Sequence, residues 1–214
     1  MAPGRGCFIT LEGGEGAGKS TQCRLLSAAL AENGHTVVAT REPGGSPGAE
    51  EIRRLLVDGA VDRWDAMTET LLLLAARRDH VRHIIRPALE RGDWVVCDRF
   101  SDSTLAYQGY GKGLDRAMLR DLSARVLEEF APDATLILDL SVDAGLARAT
   151  QRDGGANRYE RMDKAFHERL QQGFLEIARQ DPARCIVIDA DADTAGVQAA
   201  IATAIGTRLP GALA

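Results

Sequence analysis

No stretch of the 214 residues approaches the ~20 consecutive apolar residues of a membrane span. The start, MAPGRGCFITLEGG, has one arginine and no apolar run long enough for a signal peptide. There is no C-x-x-C pair among Cys7, Cys23, Cys97 and Cys185, and three of the four lie in or beside apolar runs, which predicts buried free thiols. These absences predict a soluble protein of a reducing, cytoplasmic compartment, without a membrane partner. Basic charge is not in surplus either: 26 Lys and Arg stand against 31 Asp and Glu, a net charge of −5. Such a chain could hold duplex nucleic acid only by a local basic patch, so small phosphorylated ligands fit better and no nucleic-acid partner is expected. His80 and His83 lie three apart on a predicted helix and could share a face, but no metal site is expected from this pair. No Ser-His-Asp or G-x-S-x-G arrangement occurs, and no N-K-x-D string that would read guanine.

What the chain does have is alternation. Short β-branched runs at 7–12, 36–41, 94–99, 134–140 and 185–190 read as buried parallel strands, with little in-out periodicity. Between them, helical patterns run over roughly 19–32, 47–57, 66–90, 115–129, 143–152, 163–179 and 193–206. One domain of 1–214 follows, a doubly wound α/β fold with a five-stranded parallel sheet, helices on both faces and ligands at the carboxyl ends of the strands. The segment MTETLLLLAARRDHVRHIIRPAL is apolar around most of its early circumference, so its first half should pack between the sheet and either another helix or a second subunit. RDGGANRYERMD, 152–163, is polar, Gly-bearing and Arg-rich, and reads as a short mobile loop over the crevice.

ITLEGGEGAGKSTQ, residues 9–22, contains G-x-x-x-x-G-K-S from Gly13 to Ser20, after a predicted strand and before a predicted helix. In that setting the loop residues Gly13, Gly14, Glu15, Gly16, Ala17, Gly18, Lys19, Ser20 and Thr21 form an ATP-binding cradle whose backbone N–H groups converge on phosphate oxygens. Lys19 would bridge the transferring phosphate, and the Ser20 hydroxyl would ligate Mg²⁺. Asp98, ending the run WVVCD, stands where a second Mg²⁺-holding group would, with Arg99 next to it; the alternative is a solvent-facing ion pair. Arg41 in TREPGG follows another strand, and its planar fork suits phosphate oxygens, unless it serves only a surface pair with its neighbouring Glu. One residue conflicts with this picture. Glu15 puts a carboxylate where phosphates must sit, so it needs a cation beside it or a task on another part of a substrate.

EGGEGAGKST, TREPGG, DRFSDSTLAYQG and RPAL, in this order, resemble the bacterial thymidylate kinase family, and the likeness covers roughly 7–190. The resemblance implies a P-loop kinase fold with a short lid near 152–163, ATP as donor with Mg²⁺, dTMP as acceptor, and a homodimer, for which the leucine-rich helix is a second sign. It implies that Glu15 is directed at the acceptor nucleotide, near its 3′-hydroxyl and phosphate. In this family some members place an arginine right after the loop acid and others supply one from the lid. Gly16 follows Glu15 here, so the sequence resembles the lid type, with Arg152 as the lid arginine and Arg158 as its alternate. By the same resemblance Arg41, Arg99 and Ser103 serve the acceptor site, Thr104 and Gln108 lie near base or sugar, and Tyr107 lies where a ribose 2′-hydroxyl would clash. Read from the residues alone, Ser101 or Ser103 could cap a helix start and Tyr107 could be ordinary packing. Leu73 stands where the family commonly has Phe, four residues before Arg77, the arginine expected to contact the base; that spacing puts both on one helix face. The expected catalytic set is therefore Lys19, Glu15, Arg99 and Arg152. The rivals are a kinase for another nucleoside monophosphate and a nucleotide-binding switch or regulatory ATPase.

Overall fold

The computed structural model describes residues 5–128, 130–150 and 158–213. Five strands, β1 (Phe8–Gly13), β2 (Val37–Arg41), β3 (Trp94–Asp98), β4 (Ala134–Asp139) and β5 (Cys185–Asp189), form one parallel sheet in the order β2-β3-β1-β4-β5. From β1 the chain moves outward to β2, returns to β3, then crosses over β1 to β4. Loops leaving β1 and β3 therefore diverge, and a crevice opens above their carboxyl ends. The register aligns the chemistry at that edge, since Leu11 of β1 and Arg41 of β2 both lie opposite Asp98 of β3.

Alternation along the strands supplies two apolar faces. Ile9, Leu11, Val96, Leu136 and Leu138 pack with α1 (Lys19–Glu32) and α9 (Thr194–Arg208) through Leu26, Leu30, Val197, Ile201 and Ile205. Phe8, Val95 and Cys97 turn the other way, onto Val81, Ile85 and Leu89. Ile137 on that second face meets Tyr107, Phe166, Leu170 and Phe174. Both sheet faces being covered is what the uninterrupted apolar strands anticipated. All four cysteines are free and buried.

The remaining helices are α2 (Pro47–Val57), α3 (Ala66–His80), α4 (Arg86–Glu90), α5 (Ser101–Thr104), α6 (Arg116–Leu127), α7 (Val142–Thr150) and α8 (Lys164–Gln180). A π-helical turn, Val81–Ile85, joins α3 to α4, so the expected long helix exists with a wider middle turn. Another, Leu105–Gly111, extends α5. α3 starts where Asp65 accepts hydrogen bonds from Met67 N and Thr68 N, and α8 where Asp163 accepts one from Phe166 N. α3 packs against α2; Leu73 and Leu74 on it are buried and Leu71 is exposed.

The helix over 101–111 corrects one expectation. Neither Ser101 nor Ser103 caps it. Instead Glu12, at the buried end of β1, accepts from Phe100 N at 2.7 Å and Ser103 N at 3.2 Å, and the Ser103 hydroxyl donates to the same carboxylate at 2.6 Å. A carboxyl group from a distant strand thus does the work of a local cap, accepting from N–H groups that a helix start leaves without intrahelical partners.

Candidate active site

β1 runs into the phosphate loop, whose glycines serve two needs. Gly16 has φ +70° and lies so close to α7 that a Cβ would sit 2.0 Å from the Gly145 carbonyl oxygen. Gly18, at φ +87°, has open space around it and needs glycine for backbone conformation alone. The N-cap of α1 is Gly18, which has no side chain to bond the N–H groups of the first turn, and such groups suit anionic oxygens. Lys19 is buried and its Nζ donates to Gly14 O at 2.6 Å; burial, with the nearby Arg99 charge, brings its ammonium down to about 8. The Ser20 hydroxyl donates to Asp98 Oδ2 at 2.5 Å. Two hard oxygen donors from adjoining elements fit Mg²⁺, which takes few protein ligands and completes its octahedron with water and phosphate oxygens. Among the described residues, no group of three or more His, Cys, Asp or Glu converges into an all-protein metal cage.

Glu15 is held away from isolation by two partners. Tyr107 donates its hydroxyl to Glu15 Oε1 at 2.6 Å, and Arg99 Nη2 approaches the same oxygen at 3.2 Å. Burial alone would raise this carboxyl, but Arg99, Lys19 and the Tyr107 hydroxyl outweigh it and hold it at about 2. Arg99 is itself fixed. Its backbone takes φ +72°, its N–H donates to Leu11 O at 2.9 Å, and its guanidinium reaches Gly13 O at 3.0 Å and Ser103 Oγ at 3.2 Å while lying 5.0 Å from the Tyr107 ring centre. A non-glycine residue in the left-handed region costs about 1–3 kcal/mol, and this lattice of contacts is what sustains it.

The other end of the cavity is made of buried side chains. Leu73 and Arg77 share the inner face of α3. Arg77 donates through Nε to Glu42 Oε2 at 2.6 Å, through Nη1 to Thr104 Oγ1 at 2.8 Å and through Nη2 to Phe100 O at 2.9 Å. Glu42 also meets His80 Nδ1 at 3.1 Å, and His80 Nε2 meets Thr40 Oγ1 at 2.8 Å, so this histidine is a support rather than a metal ligand. Gln108 Nε2 donates to Glu69 Oε1 at 2.8 Å. Arg78 faces away, toward Val126 O and Glu128.

Gly16, Gly18, Lys19, Ser20, Thr21, Asp98, Glu15, Arg99 and Arg41 line one cavity of about 420 Å³ together with Leu73, Arg77, Ser103, Thr104, Tyr107 and Gln108. The glycine loop is thereby continuous with a pocket that presents Leu73, Arg77 and Gln108. The thymidylate kinase family model matches residues 11–201. The chain belongs to the thymidylate kinase family. The thymidylate kinase of Caulobacter vibrioides is 57% identical over 205 residues, covering 96% of this chain and 98% of that protein. That of Gluconobacter oxydans is 55% identical over 209 residues, covering 96% and 97%. The crystal structure of the Ehrlichia chaffeensis thymidylate kinase superposes with a TM-score of 0.75 at 36% identity, over 94% of this chain and 99% of that one. The family resemblance and the P-loop kinase fold read from the motifs are both borne out.

Within this thymidylate kinase scaffold, Arg152 lies outside the described residues. Arg158 is buried, donating through Nε to Leu56 O at 3.0 Å and through Nη1 to Val61 O at 3.2 Å, and pairing with Glu69. From 158 onward the segment is therefore anchored and not a solvated loop. Arg41 sits at the cavity rim, paired with Glu50 at 3.1 Å. Several site residues escaped the sequence reading. Arg53 lines the cavity beside Arg41 and donates to Pro43 O at 2.6 Å, whereas its neighbour Arg54 is exposed; only helix phase separates the two. Glu12, Glu42 and Glu69 are the buried acids that hold the visible residues in place. For Glu69 a signal existed: stepping back by fours from Arg77 through Leu73 lands on it.

Proposed function

We propose that this chain transfers the γ-phosphoryl group of ATP to dTMP, giving ADP and dTDP, with Mg²⁺, as a cytoplasmic homodimer. The observation that carries the reading is the single cavity joining the Lys19–Ser20–Asp98 cradle to the Leu73–Arg77–Gln108 pocket, with Glu15 between them. An acceptor phosphate has its second pKa near ~6, so at neutral pH its oxygen attacks without a strong general base. The bond from γ-phosphorus to the bridging oxygen breaks as the new one forms, and the leaving charge stays on ADP. What the protein must supply is alignment and charge neutralisation. Lys19 and the N–H groups of α1 hold the donor phosphates; Arg41 and Arg99 face the acceptor phosphate. Mg²⁺, held by Ser20 and Asp98, would offset charge on the donor oxygens. Glu15, kept ionised by Arg99 and Tyr107, accepts a hydrogen bond from the sugar 3′-hydroxyl, which resolves the conflict of an acid in a phosphate loop. Tyr107 closes the space a 2′-hydroxyl would need. Thr104 and Ser103 complete the acceptor wall, and Arg77 and Gln108 read the base while Leu73 covers it.

Leu71, 53% exposed on α3, and Leu55, 40% exposed on α2, support association through the α2–α3 face. Light scattering at micromolar concentration should give twice the monomer mass. The reaction itself is checked by an acceptor panel. Phosphorylation of dTMP should exceed that of dUMP, dCMP, dGMP and AMP, and ATP turnover indifferent to any monophosphate would reject the assignment.

Arg152 is our choice for the arginine on the transferring group, because Arg158 is committed to Glu69, Leu56 and Val61. Arg152→Ala should lower kcat on the order of 100-fold while dTMP titrated without ATP binds nearly as before. The reverse pattern would remove the role.

A further inference from the structure

We propose that Glu69 is a positioning residue that sets the amide of Gln108 so that only its oxygen is offered to the acceptor base, and thereby selects bases carrying a ring N–H over bases carrying a ring nitrogen acceptor. The inference rests on the reading of the cavity as the dTMP site and concerns how that site discriminates.

Glu69 is fully buried on α3, four residues before Leu73 and eight before Arg77, on the same face. Two cations converge on it. Arg158 pairs with Oε2, and Lys112 Nζ stands 2.8 Å from Oε1. Gln108 Nε2 donates to that same Oε1 at 2.8 Å. A carboxylate in this company accepts hydrogen bonds and gives none, so the Gln108 group turned toward it must be the NH₂. The orientation of the amide follows from chemistry and not from an arbitrary choice between oxygen and nitrogen. Gln108 Oε1 is consequently left over: it is buried, and it has no hydrogen-bond partner among the described residues. Buried acceptors are rarely abandoned, and Gln108 lines the cavity beside Leu73 and Arg77. A ligand that satisfies it must bring a donor.

Thymine and uracil bring one at N3, where cytosine has an acceptor. The amide oxygen would bond the first two and oppose the third. Were Glu69 neutral and able to donate, the amide could turn over, present its NH₂ to the cavity and accommodate cytosine. A site built around one polarity rejects the wrong partner more strongly than a shape-based pocket does.

The test is kcat/KM for dTMP, dUMP and dCMP in the wild type, Glu69→Gln and Gln108→Met, with circular dichroism and the thermal midpoint to verify folding. In Glu69→Gln the dTMP-to-dCMP ratio should fall about 10-fold or more, whereas the dTMP-to-dUMP ratio should stay within about twofold, because both bases carry the same N3–H. Gln108→Met should lower the first ratio comparably, and the double variant should add little to it, since both changes abolish one device. If Glu69→Gln does not fold, Glu69→Asp, which withdraws the carboxylate by one methylene, is read on the same ratio with the same direction expected. A loss of equal size on all three acceptors would mean that Glu69 only stabilises the fold, and an unchanged dTMP-to-dCMP ratio in folded Gln108→Met would mean that the amide does not read the base; either overturns the proposal. A wild type without preference for dTMP over dCMP would instead overturn the acceptor assignment beneath it.

Discussion

At the end of the cavity proposed for the donor, the groups that would meet a ligand are backbone amides of a glycine loop and of the first turn of α1, with Lys19 and Ser20 adjacent on the same element. At the base end they are side chains, and each hangs on a buried acid from elsewhere: Arg77 on Glu42, Gln108 on Glu69, and the helix carrying Thr104 and Tyr107 on Glu12. The first kind of site is encoded by local backbone conformation. The second is encoded by tertiary placement of charge, in a setting where an unpaired buried group costs several kcal/mol. Breaking a donor-end residue should therefore remove chemistry and leave the fold, whereas breaking a base-end support should touch stability, specificity or both.

The largest effect is expected at the donor end. Lys19→Ala and Asp98→Asn should each lower kcat/KM by about 10² to 10⁴, since a charge stabilising the transition state contributes several kcal/mol. The bond from Lys19 to Gly14 O lies within the loop, so little tertiary structure depends on it. Steady-state kinetics with thermal midpoints test both halves of the statement. Near-normal turnover would dissolve the proposed site, and a large drop in midpoint would dissolve the contrast between the two ends.

A smaller effect concerns the strut between the ends. Burial first, and the neighbouring Asp102, push Glu12 up to about 7, against an ordinary value near 4.5. Between those two values the folded chain keeps a proton that the unfolded chain has released, so this group's contribution is fully present below pH 4.5 and is lost as pH rises to 7. The shift corresponds to about 3 kcal/mol. Glu15 runs oppositely: held at about 2, it contributes above 4.5 and loses that contribution as pH falls toward 2. Urea unfolding at pH 5 and pH 7 should show the wild type losing about 2–3 kcal/mol more than Glu12→Gln over that interval. An equal change in the two proteins would show that Glu12 does not carry this cost.

The same contrast explains which parts of the molecule are legible in sequence. The five strands, the sheet with both faces covered and the phosphate loop were readable because apolar runs, glycine positions and strand-then-helix context are all local. Arg77, Leu73, Gln108 and Tyr107 were reached through the family motifs and not through any pattern of their own. Glu12 and Glu42 stand inside two of those motifs and Glu69 on the face of Arg77, but nothing local says which residue each one holds. Arg77 and Glu42 are 35 residues apart, Gln108 and Glu69 are 39 apart, and Phe100 and Glu12 are 88 apart; no short-range periodicity records such pairings. The helix over 101–111 has no clear helical pattern in the sequence, and what starts it was misplaced on Ser101 or Ser103, for a related reason. Two glycines weaken its pattern, and the group that starts it stands on another strand. Arg158 was read as the alternate lid arginine in a mobile loop because its neighbours are polar and Gly-bearing, while its partner Glu69 lies on α3.

The smallest effect tests the base end by improving it. Leu73 is 9% exposed, lines the cavity and shares a helix face with Arg77, so a base read by the arginine would have the leucine against its plane. An aliphatic cover supplies burial but lacks the offset stacking that an aromatic ring adds, which amounts to about 0.5–1.5 kcal/mol. Leu73→Phe should thus tighten dTMP binding by a few-fold to about 10-fold, provided the larger ring fits without displacing α2, against which α3 is packed. Overpacking would reveal itself as a lower thermal midpoint together with weaker binding. The two outcomes separate cleanly in a titration of dTMP alongside a melting curve. Tighter binding should come with an unchanged dTMP-to-dCMP ratio, because in the proposed pose Leu73 would touch the face of the base and not its hydrogen-bonding edge. If the ratio moved instead, discrimination would reside in the cover as well as in Arg77 and Gln108, and the division of labour at this end of the cavity would have to be redrawn.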